Sequence, residues 1–215
     1  MRIHDEARFH ELLGTHDSIA VEERGDAHLP SSMTTPLRAD AFELDDELKI
    51  ELIEKHFREI MLILGLDLND DSLRGTPHRV AKMYVKEIFS GLNPANKPSI
   101  SLFDNIYQSR RMLVEENISF HSNCEHHFVP FHGRVHVAYV PNGKVVGLSK
   151  LNCIVRYFAR RPQVQERLTM QIANEIKQAL GTDDVAVMID AAHMSISTRG
   201  VQDHSSSMVT AEYSG

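Results

Sequence analysis

The sequence predicts an α+β protein in which helices come first, followed by strand, strand, helix, helix, strand, strand. Three observations carry this. Apolar residues recur at helical spacing between Asp45 and Ile88, they alternate along the chain between Val114 and Tyr139, and Pro162 divides a second helical stretch before alternation returns at Val185.

Residues 1 to about 44 mix charges with Pro30, Ser31, Ser32, Thr34, Thr35 and Pro36 and show no sustained period, which predicts a mobile N-terminal arm. The pattern changes at Asp45. Ile53, Phe57, Ile60, Met61 and Leu64 share a helical face behind the acidic start Asp45-Asp46-Glu47, which suits a helix dipole, and Gly65 is the expected stop. Thr76 as N-cap and Pro77 at the first helical position open a second helix. It has Val80, Met83, Tyr84 and Ile88 on one face and Arg79 in its first turn, and Gly91, Asn93 and Pro94 close it. Residues 45–100 thus form a helical part and 101–215 the remaining domain.

Val114, Ile118 and Phe120 fit a strand that runs into Cys124. Val135, Val137 and Tyr139 fit a second strand ending at Pro141-Asn142-Gly143, and the two are expected to pair as a hairpin. Helices follow from about Ser149 to Arg160 and from about Gln163 to Leu180, separated at Pro162. Val185, Val187 and Ile189 begin a late strand. Beyond it His193, Ser195 and Ser197 alternate with Met194 and Ile196, which predicts that the two sets face opposite sides of a sheet.

With 215 residues, 42% of them hydrophobic, the chain suffices for one main core. A net charge of -7 argues against broad nucleic-acid binding, which needs many surface cations to displace counterions. A local cation cluster for one small anion is compatible with it. The start Met1-Arg2-Ile3-His4-Asp5-Glu6 carries charges where a secretion signal has its apolar core, and no apolar run nears the roughly 18 residues of a membrane span, so a cytoplasmic protein without membrane contact is expected. Only Cys124 and Cys153 carry thiols, and a reducing compartment disfavours a disulfide between them.

Candidate chemistry centres on Cys124-Glu125-His126-His127. Cys124 and His127 are three apart, close enough in a turn to share a metal ion, and thiolate with imidazole suits zinc. The same spacing suits a buried strand-end cysteine beside two surface histidines. His126 must point away from His127 and is then free to exchange protons near neutral pH, although exposure alone also accounts for a histidine in a turn. Gly147-Leu148-Ser149-Lys150 places a hydroxyl and an ammonium at a helix start that favours an anion. Ser149 as an ordinary N-cap with a solvated Lys150 reads equally well. Gln165 and Glu166 lie in the first turn of the following helix. A carboxylate there can accept paired N–H bonds from guanine, or pair with a neighbouring arginine at the surface.

Taken together, these stretches resemble the GTP cyclohydrolase I family from about Glu47 to Val209. The match includes Asn69-Asp70-Asp71-Ser72-Leu73, the run from Thr76 to Tyr84, Cys124-Glu125-His126-His127, Gly147-Leu148-Ser149-Lys150 and the run from Gln163 to Thr169. The resemblance implies a tunnelling fold: N-terminal helices, then a four-stranded antiparallel sheet with two helices (ββααββ). It also implies a toroidal homodecamer of two pentamers with active sites between subunits. The implied reaction takes GTP and water to 7,8-dihydroneopterin triphosphate and formate, opening the purine at C8, as a first step toward tetrahydrofolate or another pterin. By position, Cys124 and His127 would hold zinc as cofactor and His126 would shuttle protons. Glu166 and Gln165 would anchor guanine, Arg79, Lys150 and Arg199 would meet the triphosphate, and Ser149 and His193 would orient the ribose and the opened ring.

The sequence departs from the family pattern in three places. The family's third zinc ligand, a cysteine, is replaced by Ser195, whose hydroxyl is a poor zinc ligand, so weakened metal binding is expected. His193, two residues away, would share a strand face with Ser195 and offer a substitute nitrogen. Cys153 stands where the family usually has an arginine near the triphosphate, with Arg156, Arg160 and Arg161 close by to compensate. The chain ends at Gly215, before the C-terminal helix of the family, so assembly contacts from that helix are expected to be missing. A second reading follows from the first two departures: an impaired GTP-binding relative serving as a binding or regulatory subunit.

Overall fold

Asp45 opens the first helix as read: its carboxylate accepts from the Leu48 N–H at 2.8 Å, and α1 runs Asp46–Ile63 before Gly65 turns the chain with φ 82°. The computed structural model describes residues 32–215, so residues 1–31 of the expected arm lie outside the described residues. Within α1 the core side is Ile50, Leu52 and Met61, while Ile60 and Leu64 are largely exposed. Ile53, Phe57 and Ile60 instead line an apolar groove of about 480 Å³ together with Tyr84, Phe89 and Phe128.

A single turn α2, Asp71–Arg74, is capped by Asp70 and leads into α3, Thr76–Met83. The cap of α3 is Gly75 rather than Thr76, whose hydroxyl accepts from the Arg79 guanidinium at 2.9 Å. After Met83 the helix widens into a π turn, Tyr84–Ile88, so the face expected to continue through Ile88 is rotated there.

Two strands, β1 (Leu102–Asp104) and β4 (Lys144–Val146), form a small antiparallel pair of their own. The main sheet has five strands: β2 Leu113–Cys124, β3 Pro130–Tyr139, β5 Pro162–Gln163, β6 Val185–His193 and β7 Met208–Ser214, in the order β5-β2-β3-β6-β7. β2, β3, β6 and β7 pair antiparallel, so the expected hairpin of the first two is present. The two-residue β5 adds a parallel edge that pairs Asn123 with Pro162 and Cys124 with Gln163. Mixed α+β architecture is therefore what the chain adopts, with β1, β4 and β5 added to the expected strands.

Helices α4 (Leu148–Ala159) and α5 (Gln165–Leu180) cover one face of this sheet. Alternation puts Phe131, Val135 and Val137 of β3 and Val187 and Ile189 of β6 on that face. There they meet Leu151, Ile154 and Val155 of α4 and Leu168, Ile172 and Ile176 of α5, all almost fully buried. Each such side chain contributes about 1.5–3 kcal/mol by leaving water. Gly181 ends α5 in the left-handed conformation at φ 64°.

The late alternation reads differently in three dimensions. The strand stops at His193, and Met194–Ser197 coil into one helical turn, α6. Ser195 therefore does not share a strand face with His193, and the last strand is β7, Met208–Ser214. A helical turn places successive residues about 100° apart, which removes the period-2 relation on which the expectation rested.

Candidate functional site

The Cys124 turn is held by backbone pairing at both ends. The Cys124 N–H donates to Val129 O at 2.9 Å, the Phe128 N–H to Cys124 O at 2.8 Å, and the Glu125 N–H to Gln163 O of β5 at 3.0 Å. Asn123 adds a side-chain bond to Phe128 O at 3.0 Å, and Phe128 itself takes a positive φ of 55°. Cys124 is buried while His126 and His127 are exposed. Sγ of Cys124 lies 3.6 Å from Nδ1 of His126, and Nε2 of His127 accepts from the Arg199 guanidinium at 2.8 Å.

Behind the turn, Glu125 meets Arg167 of α5 through two hydrogen bonds, at 2.5 and 3.1 Å. Arg167 is 2% exposed and also donates to Ser32 O at 2.9 Å. This pair ties the turn to α5. Neither partner stood out in the sequence, because nothing local marks two charges that pair across 42 positions.

His193 ends β6 with its ring stacked on Phe131, centroids 4.7 Å apart and planes within 2°. Its Nε2 is 2.8 Å from Oε1 of Gln165. Burial pushes the imidazole below its ordinary range, and the nearby Glu166 carboxylate pulls the other way. The net direction favours the neutral ring at neutral pH. Gln165 is buried while Glu166, the next residue, is exposed in the first turn of α5, where no side chain caps the helix. The carboxylate of Glu166 is thus the group of the two that a ligand can reach.

Ser149 is exposed and Lys150 half-buried in the first turn of α4, and Arg199 is exposed just after α6. Arg79 is exposed at the start of α3, with its guanidinium on Ser72 O and the Thr76 hydroxyl. The structure thus joins His127 to Arg199 and His193 to Gln165, with Glu166 electrostatically beside His193. Arg79 hydrogen-bonds back to α2 and to the start of its own helix.

Cys153 lines a polar cavity of about 350 Å³ with Arg156, Arg160 and His121. Arg161 does not join them. It stacks over Tyr157 and Phe158 at 4.5 and 4.7 Å and donates to Gly91 O at 2.8 Å, which makes it a packing residue rather than one of the compensating cations expected beside Cys153.

A three-ligand zinc does not fit the donor set as it stands. Cys124 and His127 supply two donors, His127 has its Nε2 lone pair engaged by Arg199, and Ser195 offers a hydroxyl from a helical turn. Among the described residues, no group of three or more His, Cys, Asp or Glu is arranged to hold a metal ion. Nor, among them, is any helix long and apolar enough to cross a membrane.

The chain is 57% identical over 195 residues to GTP cyclohydrolase 1 of Flavobacterium johnsoniae, which covers 91% of this chain and 87% of the relative. It is 50% identical over 190 residues to the proteins of the same name from Salmonella arizonae and Salmonella newport, covering 88% of this chain and 86% of each relative. The sequence model of the GTP cyclohydrolase I family matches residues 53–215, a span holding the Cys124 turn, both helix starts and the end of β6. With the match running through every part of the site, the chain belongs to the GTP cyclohydrolase I family.

Proposed function

We propose that this protein is a GTP cyclohydrolase I, converting GTP and water to 7,8-dihydroneopterin triphosphate and formate at the start of a pterin pathway. The observation that carries this is the 57% identity over 91% of the chain to a relative of that name. The geometry supports it at the residues that would do the chemistry.

Glu166 is the proposed guanine anchor. An exposed carboxylate in the first turn of a helix accepts two parallel N–H bonds, the pattern presented by N1 and the 2-amino group of guanine. Lys150 and Arg199, with Arg79, are proposed for the triphosphate, where long cations offset concentrated negative charge. His126 is proposed to move protons at the opened ring, since its imidazole is exposed and its Nδ1 is turned toward the Cys124 thiol at 3.6 Å. His193 is proposed as a second proton-handling group and Ser149 as a ribose-orienting hydroxyl. Zinc, the cofactor the family implies, would be held by Cys124 and His127. With Ser195 as the third donor it is proposed to bind weakly.

The reading extends to the assembly. We propose a tunnelling fold closed into a ring of subunits, a decamer of two pentamers, with residues 45–100 as the helical part and 101–215 as the catalytic part. What supports this, besides the family, is that among the described residues β7 pairs only with β6, and β2 pairs on its outer side only at Asn123 and Cys124, so two strand edges are left for other copies. A cytoplasmic location is proposed with it.

Incubating the purified chain with GTP, with and without added zinc, tests the function. Formate release should match the appearance of a fluorescent pterin after oxidation. Absence of turnover at every zinc concentration would overturn it.

A further inference from the structure

Gln165 is 1% exposed, and both hydrogens of its amide are committed inside the protein. Its Nε2 lies 3.1 Å from Ile189 O and 2.8 Å from Met208 O, with the Thr210 hydroxyl a third neighbour at 3.2 Å. Two backbone carbonyls can only accept, so the nitrogen end of the amide is assigned by its surroundings. The oxygen end then faces His193. An amide oxygen also only accepts, so the proton in the 2.8 Å contact belongs to His193 Nε2.

Two hydroxyls complete the arrangement. Thr169 donates to Gln165 O at 2.8 Å, which spends its one proton, so the 2.7 Å contact between Thr169 and Thr210 runs from Thr210 to Thr169. Thr210 is then left as an acceptor toward the Gln165 amide. Every proton in the chain from Thr210 to His193 has one direction, and the ring is held flat against Phe131 at 4.7 Å.

We infer that Gln165 is a positioning residue for His193 rather than a guanine ligand: it holds the imidazole with its proton on Nε2, leaving Nδ1 as the nitrogen that takes up or relays a proton. The role rests on the reaction proposed above, whereas the tautomer stands on the hydrogen bonds alone. A free neutral imidazole divides its proton between its two nitrogens. Fixing it on Nε2 leaves the base one defined direction.

The tautomer is read directly from 15N spectra of the full chain labelled at histidine, recorded at about pH 8, above the ordinary imidazole range. Subtracting the spectrum of His193→Asn isolates the signals of His193. A protonated-type Nε2 with a lone-pair-type Nδ1 is expected, and the reverse assignment would overturn the inference.

The role is read from Gln165→Met, which keeps the volume and removes the amide. Its His193 should show both tautomers. Its kcat for GTP should fall by roughly 10-fold or more with KM within about 2-fold, because general acid-base groups contribute on the order of 100-fold or more when correctly protonated. A raised KM with unchanged kcat would return Gln165 to the guanine and sink the proposal. Should Gln165→Met not fold, Thr210→Val, which removes one partner of the amide, carries the same kinetic test, and the wild-type spectrum needs no variant. Wild-type protein that fails to turn over GTP would remove the proposed function while leaving the tautomer measurement decisive.

Discussion

Arg167 and Glu125 share two hydrogen bonds, at 2.5 and 3.1 Å, across the junction between α5 and the Cys124 turn, with the guanidinium 2% exposed and the carboxylate 22%. A buried guanidinium needs a partner to offset its lost hydration, so Glu125 is a condition of its burial. Replacing Arg167 by Met should destabilise the protein by about 3 kcal/mol, because one partner of a buried pair then remains uncompensated. Replacing Glu125 by Gln should cost less, since one neutral bond survives. Denaturant unfolding of the two variants and of the double variant measures the coupling, and additive losses would mean that the pair contributes nothing of its own.

Gly91 is the close contact between the helical part and α4. Its N–H donates to Arg160 O at 2.8 Å, and a Cβ there would lie 2.1 Å from Tyr157 O and 2.8 Å from Arg160 O. Both obstacles are backbone, which does not move aside cheaply. Gly91→Ala should lower stability by about 3 kcal/mol, at the upper end of ordinary overpacking costs. A melting temperature within a degree or so of wild type would show that α4 can shift away.

Glu115 supplies a pH test. Burial raises its pKa above the ordinary carboxylate value, the Asn152 amide opposes this, and Oε2 is buried with no hydrogen-bond partner. A raised folded-state pKa means that the folded protein binds the proton more readily than the unfolded chain. The stabilisation this brings is complete below the unfolded value of 4.5 and is lost as pH rises through the folded one. Glu115→Gln, neutral throughout, should therefore be more stable than wild type near pH 7, with the gap closing toward about pH 4. Equal stability at both pH values would contradict the assignment.

Placing a thiol at position 195 tests the metal expectation. Wild-type protein dialysed against a mild chelator should retain little zinc, and Ser195→Cys should retain close to one ion per chain, since a thiolate is a far better zinc ligand than a hydroxyl. Elemental analysis of both proteins decides it. Full zinc in the wild type would mean that another donor completes the site.

Lys150 tests the triphosphate reading. Loss of a charge-assisted contact costs on the order of 1.5–3 kcal/mol, which corresponds to a rise in KM for GTP of roughly 10-fold or more in Lys150→Met. If KM for GTP stayed unchanged, the triphosphate would have to be held elsewhere.

From the sequence by itself one could read the helix starting at Asp45, the β2–β3 hairpin, the two helices parted at Pro162 and, through ordered motifs from Thr76 to Thr169, the family. These are local properties: periodicity, caps and residue order are written in neighbouring positions. The tertiary structure decided what depends on groups far apart in the chain. It ended the late strand at His193 and coiled Ser195 into a helical turn, where alternation of side chains alone predicts a continuing strand. It tied Arg161 to Gly91 O across 70 positions. It also joined Gln165 to His193 across 28 positions and Arg167 to Glu125 across 42. Cys124-Glu125-His126-His127 is legible as a motif, but only the fold separates its side chains into a buried thiol, a carboxylate spent on Arg167, one exposed imidazole and one engaged by Arg199. Hydrogen bonds and burial between distant residues leave no periodic trace, which is why that division could not be read from order alone.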